Sequence, residues 1–151
     1  MRRIIRIMLQ GFRAREVFEA ENGANGLESF VHLTPDIIIT VLVMPIHDGF
    51  SLIKMIRQPG CNANPHIPII MLTGYASKAC VLAARDAGVT EFLVKPVSAK
   101  ALYQRIVNIL VNPRPFIKTE IYFGPDPNRN EISTSICCYT RNSQAKFVMI
   151  D

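Results

Sequence analysis

Three residues that bear on chemistry stand at the ends of apolar runs. Val41 closes DIIITV, Thr73 follows IPIIML and Lys95 follows EFLV. If these runs are strands of an open parallel sheet, their carboxyl ends face the crevice in which such sheets bind ligands. Taken singly, Thr73 is a strand-end hydroxyl that bonds nearby backbone, and Lys95 is a solvated turn lysine. Val41 has no oxygen, so no nucleophilic step can start from its side chain. The other candidates are weaker. Asp36 lies at the wrong end of its run, and Asp48, in an Asp-Gly pair ahead of a helix, reads as a turn or cap. His32, His47 and His66 have neither metal-ligand spacing nor a nucleophile partner. Cys61, Cys80, Cys137 and Cys138 form no CxxC pair, so reduced thiols without a catalytic role are expected.

The elements that would position these residues follow from periodicity. Ile4, Ile5, Met8, Leu9 and Phe12 recur at helical spacing over residues 2 to about 11, and residues 16–20 alternate as a short strand. Asn22 opens a helix that Thr34 and Pro35 break. Residues 36–41 and 67–72 are β-branched runs of the kind buried on both faces of a parallel sheet. Helices are expected over 50–57, from a Ser77 cap to Asp86 with Gly88 closing it, and over 98–111; residues 91–94 form a strand ending in the Lys95-Pro96 turn. Strands alternating with helices over residues 1–111 predict an α/β fold with a doubly wound parallel sheet. After Pro113 the texture changes to Pro, Asn and Ser, so residues 112–151 read as a tail, poorly ordered or contributing a strand at 146–151.

At 151 residues the chain accommodates one ordinary domain. Hydrophobic residues make up 49% and charged ones 19%, which excludes a disordered chain. No apolar run reaches the roughly 18 residues of a membrane span, and the arginine-rich start is no secretion signal, so a cytoplasmic location is expected. The net charge of +5 owes much to Arg2, Arg3, Arg6, Arg13 and Arg15. Such a helix could meet nucleic acid, but a solvated polar face is the ordinary reading.

Val41-Leu42-Val43-Met44-Pro45, Asp48-Gly49, Thr73-Gly74 and Lys95-Pro96, in this order and spacing, resemble the receiver domain of a two-component response regulator, with its CheY-like, flavodoxin-like fold. The resemblance covers residues 1 to about 111. It implies that Thr73 is the hydroxyl that bonds a phosphoryl group, Lys95 the cation that pairs with it, Phe92 the switch aromatic, and Pro96 the residue after a cis peptide. It also implies an aspartate at the position of Val41, so phosphoryl acceptance is not expected there. Receivers open with an apolar strand and an acidic pair that helps hold Mg²⁺; this sequence starts inside the helix that normally follows. A sheet lacking its first strand, without a Mg²⁺ site or any other cofactor, is therefore expected. The gap would lie between the strands near Val17 and Ile37. Unpaired backbone groups there cost of order 1 to 3 kcal/mol each, against a total stability of about 5 to 15 kcal/mol. Lys146 to Asp151, apolar and ending in an acid, resembles the missing strand; the other repairs are that the two flanking strands close up or that a second chain docks at the edges.

The function that follows is that of a stand-alone, non-enzymatic, degenerate receiver of bacterial phosphorelay signalling. Its partner, a histidine kinase or downstream target, would be met on the 77–111 face, and a homodimer is admitted. The alternatives are an inactive or mis-started remnant of an active receiver and, lower still, a basic nucleic-acid binder.

Overall fold

A computed structural model describes residues 2–44, 48–58, 60, 64–127 and 145–150. In chain order the elements are α1 (Arg2–Gly11), β1 (Glu16–Ala20), α2 (Gly23–Leu33), β2 (Ile37–Val41), α3 (Gly49–Arg57), β3 (Ile69–Thr73), α4 (Lys78–Asp86), β4 (Glu91–Val94), α5 (Ala99–Val111), β5 (Phe116–Lys118), β6 (Phe123–Pro125) and β7 (Lys146–Ile150). Local chemistry sets several of these limits. The side chains of Asn22, Ser77 and Ser98 accept the backbone N–H groups of Asn25, Cys80 and Ala101 at 2.9, 3.2 and 3.1 Å, each satisfying an otherwise orphaned first-turn donor. β3 starts only after Pro68, so its span runs through Thr73 and that residue ends the strand instead of following it.

The main sheet has the order β1-β7-β2-β3-β4, and every neighbouring pair is parallel. β2 and β3 are buried at all five positions, which requires both faces of the sheet to be covered. On one side Phe12, just past α1, meets Tyr103 of α5 with ring centroids 5.2 Å apart.

The expected gap in the sheet does not exist. β7 lies between β1 and β2, with Glu16 opposite Lys146 on one side and Ile37 opposite Phe147 on the other. The strand expected to be missing at the start of the chain is replaced, not absent from the sheet: residues 146–150 of the strand expected at 146–151 fill its slot. Backbone donors and acceptors of β1 and β2 need a partner, and Phe147, Val148, Met149 and Ile150 provide it while burying their side chains almost completely. Asp151, Pro45, His47, Cys61, Cys137 and Cys138 lie outside the described residues.

The described part of the tail also differs from the irregular segment expected. β5 and β6 pair antiparallel as a ribbon, closed by Thr119 N–H donating to the Tyr122 carbonyl at 2.7 Å. Among the described residues, no helix is long and apolar enough to cross a membrane.

Candidate functional site

The sheet brings Val41, Thr73 and Lys95 to the carboxyl ends of three successive strands. Val41 pairs with Leu72 and Thr73 pairs with Val94, so each named residue stands one step beyond its neighbour's partner. The backbone ties the steps together: Leu42 N–H donates to the Leu72 carbonyl at 3.1 Å, and Lys95 N–H to the Thr73 carbonyl at 2.7 Å. The Lys95–Pro96 bond is cis.

Asp48 caps α3, accepting Phe50 N–H at 3.3 Å. The glycine after it is needed for a close approach. A Cβ on Gly49 would sit 2.5 Å from the Val41 carbonyl oxygen, so only glycine lets α3 start against the end of β2. The Asp-Gly pair is therefore architectural in both halves.

The environment of Val41 is hydrocarbon. It is 5% exposed and borders an apolar hollow that Arg2, Ile5, Thr40, Leu72 and Ile150 also line. The Thr40 hydroxyl donates to the Val41 carbonyl at 3.3 Å. Thr73 is 2% exposed, and its hydroxyl oxygen accepts Tyr75 N–H at 3.0 Å, holding the turn after β3. Phe92 is half-buried on β4 opposite Met71. Lys95 is half-buried and joins no ion pair among the described residues. Among the described residues, this lining offers a divalent cation of the hard, oxygen-seeking kind no set of carboxylate ligands. Val41 supplies no ligand, Asp48 is engaged by α3, and among the described residues no three His, Cys, Asp or Glu side chains come together.

The opposite end of the sheet holds a group that sequence reasoning passed over. Arg57, the last residue of α3, is 4% exposed and has no carboxylate partner among the described residues. Its guanidinium donates to the carbonyls of Pro65 (2.6 Å), Ile67 (2.7 Å) and Gly88 (3.1 and 2.9 Å), and lies 4.9 Å from the centre of the Phe116 ring. Burial pushes its pKa down to about 9, with Tyr122 pulling the other way, so it remains charged at neutral pH. The ring of His66 packs between Phe116 and Phe123 at 5.0 and 5.1 Å, its pKa lowered first by burial and then by Arg57. Arg57 thus stitches together the approach to β3, the approach to β4 and the β5–β6 ribbon. An arginine ending an amphipathic helix carries no sequence mark of this role, because its acceptors are backbone carbonyls.

The crevice at the carboxyl ends of a parallel, doubly wound sheet defines a receiver-type α/β domain. Comparison with known proteins agrees. The sequence profile of the response regulator receiver domain matches residues 1–107. The chain is 35% identical over 111 residues to chemotaxis protein CheY1 of Helicobacter pylori, covering 73% of this chain and 88% of that protein. The structure of a protein described as a response regulator from Chloroflexus aurantiacus is similar with a TM-score of 0.67 and 30% identity, covering 74% of this chain and 88% of that one. The receiver domain of a sensor histidine kinase from Pseudomonas aeruginosa, solved with magnesium in its active-site cleft, matches at 0.61 and 28%, covering 71% and 84%. The chain belongs to the response regulator receiver domain family of two-component signalling. The profile match ends well before β7.

Proposed function

We propose that this receiver accepts no phosphoryl group at Val41, binds no Mg²⁺ in its crevice, and signals through protein contact without enzymatic activity. The observation that supports this most strongly is the side chain at the carboxyl end of β2: a buried valine among hydrocarbon neighbours, where a nucleophile would have to be. Thr73, Phe92, Lys95 and Pro96 are the remnants of the responding apparatus. Thr73 is engaged by the backbone of its own turn, and Lys95 joins no ion pair among the described residues. A state set by the fold, instead of one set by phosphorylation, follows.

The contact surface assigned in this reading is the face built by α4, β4 and α5. Val81, Leu82, Val94 and Tyr103 are each about two-fifths to one-half exposed there. Such a rim of separate apolar side chains suits a signalling protein, a histidine kinase or a downstream target, docking in the bacterial cytoplasm.

The test is exposure of wild type and Val41→Asp to acetyl phosphate and Mg²⁺. Neither is expected to be labelled at residue 41, and Mg²⁺ titrated alone is expected to give no saturable signal in wild type. Stable labelling of wild type, or tight saturable Mg²⁺ binding, would overturn the proposal.

A further inference from the structure

β7 arrives from outside the region that otherwise builds the sheet, yet its seat is specific. On each side it makes a parallel ladder, five residues long with β1 and four with β2. The amino end of the seat is polar: the Asp36 carboxylate accepts Lys146 N–H at 2.7 Å, Asp36 N–H donates to the Lys146 carbonyl at 2.9 Å, and Arg15 N–H donates to the Ala145 carbonyl at 3.1 Å. Lys146 Nζ reaches Glu16 at 3.3 Å. The far end is a notch. A Cβ on Gly26 of α2 would lie 2.5 to 2.8 Å from three side-chain carbons of Ile150, so the missing side chain of Gly26 is the space that Ile150 occupies. The seat selects an extended apolar segment with a cation at its start and a branched side chain at its end.

None of these contacts requires β7 to belong to the same chain. The two ends of its connection both lie at the amino end of the sheet. Gly124 of β6 abuts Gly88, just before β4, and Ala145 sits beside Arg15. Between β4 and β7 stand only β3 and β2, a crossing of roughly 15 Å at the usual strand spacing. The chain from Pro127 to Ala145 can extend to roughly 60 Å. Closure within one chain is therefore permitted but not enforced. A long connection gives an effective concentration of about the millimolar scale or below, against which a neighbouring copy competes during folding.

We propose that the seat between β1 and β2 is a strand-acceptor site that also takes β7 from a second copy of this chain, giving a closed, two-fold strand-exchanged dimer. The two forms share every contact of the seat. Their ratio is set by concentration while the chain folds, and it is retained afterwards because release requires withdrawing a central strand. This inference is independent of whether residue 41 is phosphorylated.

Two full-length variants test it by complementation. Gly26→Leu blocks the notch but keeps a sound β7; Val148→Pro spoils β7 but keeps an open seat. Refolded separately, each is expected to lack a cooperative thermal transition. Refolded together at about 100 µM, well toward the effective concentration, they are expected to give a 1:1 heterodimer by light scattering and native mass spectrometry, with one native domain per pair. No recovery in the mixture, under conditions in which wild type refolds, overturns the proposal. A second measurement does not depend on either substitution. Deleting residues 130–143 leaves a reach of about 14 Å, no more than the crossing itself. This chain is expected to elute as a dimer that persists for hours after dilution. A folded monomer, a dimer that dissociates at once, or a chain unfolded at every concentration overturns the proposal.

Discussion

The two ends of one sheet treat a positive charge in opposite ways. At the carboxyl ends of β2, β3 and β4, Val41 lines an apolar hollow, and Lys95 stands half-buried in no ion pair among the described residues. At the amino ends, Arg57 is almost wholly buried, and among the described residues its hydrogen bonds all go to backbone carbonyls. In the proposed reading, the first end has the residue types of a responsive site without the group that would drive a response. The second is a structural joint with no chemistry to perform. A buried charge is tolerated when its donors are satisfied, and a site is functional only when its reacting group is present.

Breaking the joint should cost most. Arg57→Ala leaves the carbonyls of Pro65, Ile67 and Gly88 without their donors, so a loss of about 3 kcal/mol or more is expected in urea unfolding. A loss below about 1 kcal/mol, the net worth of one ordinary hydrogen bond, would show that water takes over the carbonyls. At the other end, Thr73→Val removes the acceptor for Tyr75 N–H and is expected to cost about 1 kcal/mol by the same measurement. Lys95→Ala should change stability by no more than about 0.5 kcal/mol, as for a side chain that joins no ion pair among the described residues. If the order of Arg57→Ala and Lys95→Ala were reversed, the contrast between the two ends would collapse.

The smallest effect expected is on pH. His66 has a folded pKa below its ordinary 6.5, so the unfolded form takes up the proton first as pH falls. Stability at the ribbon is full above about 6.5, the ordinary histidine value, and declines from there toward the lower folded pKa. Hydrogen exchange at residues 116–125 should quicken modestly over that interval in wild type and not in His66→Gln. An unchanged rate in wild type would show that His66 stays well solvated beside its two aromatic neighbours.

The helices and strands over residues 1–111 were legible because each has a local cause. Asn22, Ser77 and Ser98 sit where caps are needed, and the runs ending at Val41 and Leu72 are too continuously apolar for anything but buried strands. The crevice could be read for the same reason, since Val41, Thr73 and Lys95 each end a recognisable run. Arg57 could not be read, because its partners are main-chain carbonyls that every residue possesses. The ribbon at Phe116–Lys118 and Phe123–Pro125 was hidden by its brevity: three-residue strands show no period.

What the amino-acid sequence determined by itself is the receiver order of elements and the absence of an oxygen nucleophile at residue 41, since side-chain type settles both. It also offered 146–151 as a strand for the slot between the strands near Val17 and Ile37, but could not choose that repair over the others. Only the tertiary structure decided that, because a short apolar run can pair with any open edge, and it takes the ladders of β1 and β2 and the notch at Gly26 to select one.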